Sequence, residues 1–392
     1  MHIVWWVLGV LLAAVWLDRL QDAARGMRRV ADISRAGWDR RPEPMPRVSI
    51  VVPARNEQEH VAAALASFAA QDYENLEIIA VDDRSSDATG EIMEQAARHA
   101  AATRPGLHFE VMHIAELPAG WLGKTHAMWL AAQRATGDWI LFTDADVKLR
   151  PDALRRALIY AEEAKADHLV LFPTHALESV GERMVLAGFG MLFLFGHRPW
   201  KVSDPKAKDS IGMGSFNLIR RSVYESLGSF RALRLEVVED IELGERVKKL
   251  GFAQRNVFGP GLLNLRWGDG ALGIVRNLTK NLFAMLDYRW PRALGGSVLW
   301  LALNLLPFLG LWLAPGWAKA GFAVAIAAIA LIYAGMDSRI TPYVLLHPLN
   351  SSIIAYALLR SMVATLWHGG VMWRGTKYSL DELRAGSEKA NQ

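Results

Sequence analysis

The chain has 392 residues, enough for about two to three domains at roughly 100–200 residues each, which excludes a single small module. It is 52% hydrophobic and 21% charged, whereas soluble chains average roughly 45–50% apolar and about 25% charged residues, so the apolar excess needs a place outside an ordinary core. A net charge of +4 is too small to indicate nucleic-acid binding, and the absence of cysteine excludes disulfides, thiolate metal sites and a cysteine nucleophile.

The first apolar run predicts a transmembrane anchor at residues 1–18. Ile3–Leu17 carries no charge, and with the two preceding residues a helix here reaches about 25 Å, close to the roughly 30 Å of a hydrocarbon core. A signal peptide is the alternative, but no Lys or Arg precedes the run and no Ala-x-Ala-like site ends it. Seven arginines in Arg19–Arg41 predict a basic juxtamembrane linker over residues 19–46 that stays in the cytoplasm.

The middle of the chain alternates short β-branched runs with helical stretches and predicts an α/β domain over residues 47–265. Val48–Val52 and Leu76–Val81 are strand-like, a helical stretch near Glu57–Ala70 lies between them, and the alternation continues to Trp139–Thr143. Strands separated by helices of this length predict a mainly parallel sheet that is buried on both faces and binds ligands at the carboxyl ends of its strands.

Polar side chains follow the predicted strands where such a sheet binds ligands. Pro53–Glu57 follows the first strand, and Asp82 and Asp83 follow the second. Two carboxylates can accept hydrogen bonds from a ribose or a pyrimidine, although an Asx turn with a helix cap is an alternative interpretation. Lys124 lies in a Gly-Trp-Leu-Gly-Lys-Thr segment that looks like the end of a phosphate loop, but Pro118 stands where that motif needs glycine.

The carboxylates Asp144 and Asp146 follow the strongest strand signal. Spaced one residue apart, they can converge on a hard cation that also bridges substrate phosphates, as Mg²⁺ is normally held. Such a pair arises by chance about once per 400-residue chain, so its position at a strand end supports the interpretation. Further on, Glu239 and Asp240 open a helical stretch, where a carboxylate can act as a general base or cap the helix, and spacing alone favours the cap.

A second apolar region predicts membrane segments over residues 293–373, between two and four in number. Leu294–Ala314 and Ala320–Met336 contain no charge and predict a transmembrane hairpin. Tyr343–Trp373 is interrupted by a His-Pro pair and by Arg360, so one span, a broken helix and a re-entrant pair all stay open.

Two further segments have an apolar or amphipathic pattern without the length of a span. Met184–Phe195 is too short to cross a membrane, and residues 266–292 mix basic and apolar side chains as an interfacial helix does. Ordinary core helix is the alternative for both. Residues 374–392 are expected to form a cytoplasmic tail.

Five motifs in one order resemble the membrane-bound family 2 glycosyltransferases with the GT-A fold. They are VSIVVPARNE, LEIIAVDDRSSDAT, TDAD, GSFNLIRRSVYESLGSF and VVED, and they cover about residues 47–255. Within that family the chain is similar to the non-processive lipid glycosyltransferases, the group that includes hopanoid-associated, carotenoid-glucosylating and ceramide-glucosylating enzymes. The GWLGK segment and Trp373–Arg384 point to the same group. The resemblance implies an α/β, Rossmann-like GT-A catalytic domain with N-terminal and C-terminal transmembrane helices.

The resemblance also implies roles for the matching residues. Asp240 matches the catalytic base that deprotonates the acceptor hydroxyl. Asp144 and Asp146 match the pair that binds Mg²⁺ or Mn²⁺, with Asp146 in direct contact. The implied nucleotide-sugar-binding residues are Pro53, Glu57, Asp82, Asp83, Lys124, Asp144 and Arg289. The expected acceptor-side residues are Gly214, Ser215, Asn217, Glu239 and Trp290.

The implied reaction is a single inverting displacement that moves one sugar from a nucleotide sugar, preferably UDP-linked, to a hydroxyl of a membrane lipid or isoprenoid. The expected partners are the donor, the lipid acceptor and the bilayer, with no nucleic acid. The expected location is the cytoplasmic (inner) membrane, with the catalytic domain facing the cytoplasm.

Two alternatives stay open. Processive members carry Q-x-x-R-W, which Arg289 and Trp290 match but Leu286 does not, so a processive polysaccharide synthase is the second enzyme hypothesis. A membrane scaffold with an inactive glycosyltransferase domain is the hypothesis of another class, and the retained Asp144, Asp146 and Asp240 argue against it.

Overall fold

A computed structural model describes residues 2–268, 270–336, 340–373 and 375–390. A few positions of the expected segments therefore lie outside the described residues, namely 1, 269, 337–339, 374 and 391–392. The chain forms two compact units. The unit that carries the predicted catalytic residue Asp240, here called the catalytic unit, comprises Val30–Ala176, Lys201–Arg266 and Met372–Gln392, and the helical unit comprises Met1–Arg29, Leu177–Trp200 and Trp267–Val371.

The two units contain fourteen α-helices among the described residues. They are α1 (His2–Gly26), α2 (Val61–Ala69), α3 (Thr89–Thr103), α4 (Gly123–Arg134), α5 (Ala153–Glu163), α6 (Val180–Gly196), α7 (Arg221–Ser226), α8 (Ser229–Ala232), α9 (Glu239–Lys249), α10 (Gly270–Asn281), α11 (Trp290–Leu313), α12 (Lys319–Met336), α13 (His347–Trp367) and α14 (Leu380–Ala390).

Thirteen strands lie in the described part of the chain. They are β1 (Ala31–Asp32), β2 (Val48–Ala54), β3 (Leu76–Asp83), β4 (His108–Ile114), β5 (Trp139–Phe142), β6 (Lys148–Leu149), β7 (His168–Leu171), β8 (Thr174–His175), β9 (Asn217–Arg220), β10 (Gln254–Phe258), β11 (Leu263–Leu265), β12 (Gly370–Trp373) and β13 (Thr376–Ser379).

The catalytic unit is built on a sheet whose described strands run in the order β1-β10-β7-β9-β5-β2-β3-β4. The pairing is parallel except at β9, which is antiparallel to both β5 and β7. The strand order reverses at β2, because β3 and β4 follow on one side and β5 returns to the other. The crevice outside the carboxyl ends of the strands at such a reversal is where open α/β sheets bind ligands. The predicted α/β class with a mainly parallel sheet is confirmed.

Burial of the sheet on both faces explains the nearly continuous apolar runs in its strands. In β2, Ile50 and Val52 lie in one core together with Leu65 and Phe68 of α2, whereas Val51 lies in the opposite core, which α4 and α9 cover. Successive strand side chains point to opposite faces, so each of these runs fills two cores at once.

The helical unit contains α1, α6 and α10 to α13. Among the described residues, four helical segments are long and apolar enough to cross a membrane, namely His2–Arg29, Trp290–Leu313, Gly316–Met336 and Thr341–Trp367. Helix α1 packs closely on α12, and a Cβ at Gly321 would lie 2.5 Å from the carbonyl carbon of Gly9. Small residues at such a crossing let two helix backbones approach, as is typical of membrane helices.

Several segments differ in detail from their expected form. The expected linker is helical up to Gly26, and its later part contributes β1 to the main sheet. The segment expected to be interfacial is divided, because α10 ends at Asn281 and the backbone φ is positive at Asp287 and Tyr288, just before α11 begins. The stretch whose topology stayed open forms the continuous helix α13 followed by β12. Its proline lies in the first helical turn, where no backbone N–H is needed.

The stability of the catalytic unit in acid is expected to depend on Glu77 of β3. Its carboxylate is 1% exposed and accepts hydrogen bonds from Ser49, Thr136 and Arg47. Burial alone would raise the pKa of Glu77, but these bonds outweigh it and lower the pKa from 4.5 to about 2. Because the pKa of Glu77 is lower in the folded state than in the unfolded state, its carboxylate stabilises the fold above about pH 4.5. This stabilisation is lost as the pH falls toward 2.

We expect Glu77→Gln to reduce the free energy of unfolding at neutral pH by on the order of 3 kcal/mol and to flatten its fall with acid. The measurement is the melting temperature of the detergent-solubilised protein between pH 7 and pH 3. Glu59→Gln, at an exposed position, is the control. Equal acid dependence in Glu77→Gln and the wild type would contradict the assignment.

Candidate active site

The first two residues predicted to bind the nucleotide-sugar donor, Pro53 and Glu57, lie at the carboxyl end of β2 and in the loop that follows it. Pro53 pairs with Val81 of β3, but pairing of β2 with β5 stops earlier, at Val51 opposite Phe142. Proline is tolerated in a strand where one side has no ladder to complete. Glu57 follows in the next loop, and its backbone N–H donates to the Thr89 hydroxyl at 2.8 Å.

Asp82 and Asp83 end β3 and have different partners. Asp82 accepts a hydrogen bond from the Ser85 backbone N–H at 3.2 Å, and its other oxygen lies 3.1 Å from His113 Nδ1. Asp83 is 4% exposed and accepts two hydrogen bonds from the Arg84 guanidinium, at 2.7 and 3.1 Å. The Asx-turn interpretation therefore explains one hydrogen bond of Asp82, the one from the Ser85 N–H. Asp83 is instead bound by the Arg84 guanidinium through two hydrogen bonds.

Lys124 connects the two sides of the site. It lies in the first turn of α4, and its Nζ is 2.6 Å from Asp144 Oδ1 and 2.7 Å from Glu239 Oε1. Asp144 follows β5, and Glu239 is the first residue of α9. One ammonium thus joins the predicted metal pair to the predicted base segment.

Asp240 binds a backbone group outside its own helix. Its Oδ2 accepts from the Gly214 N–H at 2.7 Å, and its Oδ1 accepts from the Ile241 N–H at 2.9 Å. The N-cap of α9 is Val238, which has no side-chain cap. The helix-cap interpretation, favoured on spacing alone, therefore explains only the bond to Ile241, while the bond to Gly214 connects Asp240 to the loop before β9.

The antiparallel direction of β9 explains why this loop reaches the site. Asn217, the first residue of β9, lies opposite Phe142, the last residue of β5. The loop that enters β9 therefore lies beside the one that leaves β5, and the Thr143 hydroxyl donates to the Ser215 carbonyl at 2.8 Å. Gly214, Asn217, Glu239 and Asp240 line one small cavity together with Lys124 and Asp144.

The carboxylates of this cavity have altered proton affinities. Burial and the neighbouring carboxylates of Asp144 and Glu57 raise the pKa of Asp146 to about 7. Burial also raises the pKa of Glu239, to about 7 despite the Lys124 ammonium, and it raises the pKa of Asp240. Burial by itself would lower the pKa of Lys124, but the surrounding carboxylates raise it well above its ordinary value. The site is therefore rich in negative charge that its own lysine only partly balances.

Asp144 and Asp146 suit a divalent cation that also binds phosphates. Asp146 Oδ1 is buried and has no hydrogen-bond partner among the described residues. The described residues contain no group of three or more acidic or histidine side chains that could hold a metal. Mg²⁺ is commonly held by one or two carboxylates plus substrate phosphates, so the two aspartates fit that role better than an all-protein metal cage.

Behind the loop before β9 lies a buried network that the sequence did not indicate. Gln254 Nε2 donates to His168 Nδ1 at 2.9 Å, which assigns the proton to His168 Nε2, and this nitrogen is 3.0 Å from Asn217 Oδ1. Asn217 Oδ1 also accepts from the Met213 N–H, and Gln254 binds both backbone groups of Ile211. Burial lowers the pKa of His168 to about 4. This neutral network fixes the loop that carries Gly214.

Two predicted residues lie in the helical unit. Arg289 is the N-cap residue of α11 and Trp290 is its first residue, 54% exposed. The glutamine position of the processive motif, Leu286, ends the short turn Ala284–Leu286 between α10 and α11.

Comparison with known proteins assigns the family of the catalytic unit. Residues 49–228 match the family model described as Glycosyl transferase family 2. Residues 49–228 therefore form a family 2 glycosyltransferase domain. The predicted resemblance to this family and the prediction of a glycosyltransferase enzyme are confirmed.

Glycosyltransferases of two staphylococcal species match most of the chain. The 4,4'-diaponeurosporenoate glycosyltransferase of Staphylococcus haemolyticus (strain JCSC1435) is 24% identical over 269 residues, 67% of this chain and 68% of the relative. The protein of the same name from Staphylococcus aureus (strain USA300) is 24% identical over 348 residues, 86% of this chain and 89% of the relative.

A solved structure supports the fold of the glycosyltransferase. The mannosyltransferase PcManGT from Pyrobaculum calidifontis, in complex with GDP-Man and Mn²⁺, superposes with a TM-score of 0.53 at 19% identity, over 93% of this chain and 99% of that one. At this identity the likeness establishes the shared fold alone. The GT-A class with apolar helices at both termini is confirmed.

Gly214 provides a test of the site geometry. A Cβ at this position would lie 2.7 Å from Asp144 Oδ2 and 3.1 Å from Lys124 Nζ. We expect Gly214→Ala to displace these side chains and to reduce kcat/KM for glycosyl transfer roughly 10- to 100-fold, with little change in melting temperature. Gly37→Ala, where a Cβ would meet nothing within 4 Å, is the matched control. Full activity in Gly214→Ala would show that this loop does not shape the site.

Proposed function

We propose that the protein transfers a single sugar, with inversion, from a UDP-linked donor to a hydroxyl of a membrane lipid or isoprenoid acceptor. The proposal is supported chiefly by the residues around one cavity. There Lys124 contacts both Asp144 and Glu239, and Asp240 accepts a hydrogen bond from the Gly214 N–H. Donor-side and base-side groups therefore surround the same small volume, as a direct displacement requires.

The donor would lie along the carboxyl edge of β2, β3 and β5. In this assignment Pro53, Glu57, Asp82 and Asp83 contact the nucleoside. Lys124 faces the diphosphate, and a basic side chain there stabilises the charge that develops on the leaving group. Arg289 is proposed as a further contact to the donor.

Asp146 and Asp144 are the residues that would hold Mg²⁺ or Mn²⁺. The buried, unpartnered Oδ1 of Asp146 supports this choice among the described residues. A divalent cation, when bound, stabilises the negative charge of the departing nucleoside diphosphate.

Asp240 would accept the proton of the acceptor hydroxyl. As the acceptor oxygen bonds to the anomeric carbon from the face opposite the leaving group, the bond from that carbon to the diphosphate oxygen breaks, which inverts its configuration. The raised pKa of Asp240 supports the role, because it brings the proton affinity of the carboxylate closer to neutral pH. Gly214, Ser215, Asn217, Glu239 and Trp290 are proposed for the acceptor side.

A lipid acceptor agrees with the apolar helices and with the relatives. The relatives' name denotes an apolar carotenoid acid as the acceptor, and a carotenoid is among the acceptors that we propose. In an acid of this kind the attacking group is a carboxylate, which is already ionised at neutral pH. Transfer of the sugar to this carboxylate would therefore depend less on Asp240 than transfer of the sugar to an alcohol.

The proposed location is the cytoplasmic membrane. The four long apolar segments support membrane association, and the arginines that follow the first segment support a cytoplasmic position of the catalytic unit. Nucleotide sugars would reach the donor site from that side.

The direct test incubates membranes containing the protein with UDP-glucose, UDP-N-acetylglucosamine or GDP-mannose, together with a prenol or a carotenoid acid. We expect one UDP-sugar to give a metal-dependent glycolipid with a single added sugar. Asp146→Ala should reduce its formation by at least about 100-fold, in line with the loss of a charged transition-state contact.

Asp240→Asn separates the two acceptor chemistries. It should abolish transfer to the prenol and slow transfer to the carotenoid acid far less. Asp204→Asn, at an exposed carboxylate, should leave both unchanged. Full activity of Asp240→Asn with the prenol would refute the assignment of the base. A ladder of products with increasing sugar number would support the processive alternative instead.

A further inference from the structure

The segment that follows the last apolar helix returns to the catalytic unit. It comprises β13 and α14, and Leu383 of α14 is 1% exposed. A Cβ at Gly386 would lie 2.6 Å from the Cβ of Leu235, which precedes α9. In its described part, the expected tail at residues 374–392 is therefore packed into the same compact unit as the main sheet.

The path of the chain limits how many of its apolar helices can cross a bilayer. The chain leaves the catalytic unit after Arg266 and re-enters it at Met372, and α11, α12 and α13 lie between these points. An α/β unit with polar loops stays outside the hydrocarbon, so both points lie on one side of the membrane. A chain that leaves and returns to one side crosses an even number of times. At least one of these three helices therefore does not cross, although each is long and apolar enough to do so.

Hydrogen bonds to α11 show where α13 begins. His347, the first residue of α13, has its Nε2 2.8 Å from Asn304 Oδ1. One turn later, the Ser351 carbonyl accepts a hydrogen bond from Trp300 Nε1 at 3.0 Å. Asn304 comes 14 residues after Trp290, the start of α11, which is about 21 Å along the helix axis. Helix α13 therefore begins beside the interior of the span that α11 is expected to make.

The later part of α13 lies beside the start of α11. The Ser361 hydroxyl accepts a hydrogen bond from the Phe283 N–H at 3.1 Å, and Phe283 precedes α11, which begins at Trp290. Helix α13 therefore runs antiparallel to α11 and passes its start before ending at Trp367. The side on which α13 ends is thus the side from which the chain enters α11, which agrees with the path of the chain.

The exposed side chains in the second half of α13 are those of a membrane–water interface. Tyr356, Arg360, Val363 and Trp367 recur at helical spacing and form one exposed stripe, in which Tyr356 and Val363 are 56% exposed and Trp367 is 84% exposed. Tyrosine and tryptophan are enriched at this interface, and arginine is attracted to anionic headgroups. An exposed arginine inside a span is costly, so the stripe fits the headgroup layer better than the hydrocarbon.

We propose that α13 does not span the membrane and that its exposed stripe contacts the lipid headgroups on the side of the catalytic unit. The helix begins inside the bilayer, beside Asn304, and leaves it on the side where the chain entered α11. Helices α1, α11 and α12 are then the spanning helices, and the C-terminal segment reaches the catalytic unit without a further crossing. The inference concerns the membrane topology and does not depend on the proposed sugar transfer.

The test labels single-cysteine variants of the full chain, which contains no cysteine of its own. A membrane-impermeant maleimide is added to sealed right-side-out or inside-out vesicles. Glu59→Cys, at an exposed position, reports the side of the catalytic unit, and Trp317→Cys, 82% exposed between α11 and α12, reports the opposite side. We expect His368→Cys, just after α13, to be labelled only in the vesicles that label Glu59→Cys. Labelling of His368→Cys only in the vesicles that label Trp317→Cys would overturn the proposal.

A second measurement tests the depth of the stripe. Tyr356→Cys and Leu299→Cys, at exposed positions near the middle of α13 and of α11, carry a fluorophore in vesicles whose lipids bear a nitroxide quencher at the headgroup or deep in the acyl chain. We expect the headgroup nitroxide to quench the label at Tyr356→Cys more strongly, and the acyl-chain nitroxide to quench the label at Leu299→Cys more strongly. If the acyl-chain nitroxide quenches both labels more strongly, the stripe does not contact the headgroups.

Discussion

The Lys124 ammonium lies between the carboxylates of Asp144 and Glu239, and the arrangement of the candidate active site depends on this contact. Carboxylates gathered in a partly buried cavity repel one another and lose hydration, and both effects raise their proton affinity. Lys124 offsets part of this cost because it contacts two of them at 2.6 and 2.7 Å. We propose that the remaining carboxylates have separate roles: Asp146 binds a divalent cation, and Asp240 accepts the proton of the acceptor hydroxyl.

The topology of the sheet makes this contact possible. The reversal of strand order at β2 opens a crevice at the carboxyl ends of β2, β3 and β5, and the antiparallel β9 brings its preceding loop to the same edge. Close backbone packing then fixes α9 against that loop. A Cβ at Gly212 would lie 1.6 Å from the Asp240 carbonyl oxygen, and one at Gly244 would lie 2.0 Å from the Ile211 carbonyl oxygen. The position of Asp240 is therefore set by backbone contacts on both sides, with the His168 network behind them.

The sequence was informative where a physical rule links local pattern to structure. Runs such as that around Ile50 predict strands because both faces of a parallel sheet are apolar, and polar residues after such runs predict a ligand edge. Contacts between distant segments carry no such signal. The pairing of Lys124 with Glu239 and the burial of the neutral His168 both depend on packing between elements far apart in the chain. The break before α11 was missed for a related reason, since the positive φ angles fall on Asp287 and Tyr288 rather than on glycine.

We propose that Lys124 serves the donor side and the base side at once. The most direct measurement is a pair of experiments on Lys124→Met, namely UDP binding by calorimetry and the single-turnover rate with saturating donor. Because the lysine contacts both Asp144 and Glu239, we expect weaker UDP binding and a slower chemical step, each by at least about ten-fold, whereas Lys148→Met, at an exposed position, should change neither. Wild-type values for both quantities in Lys124→Met would refute this double role of Lys124.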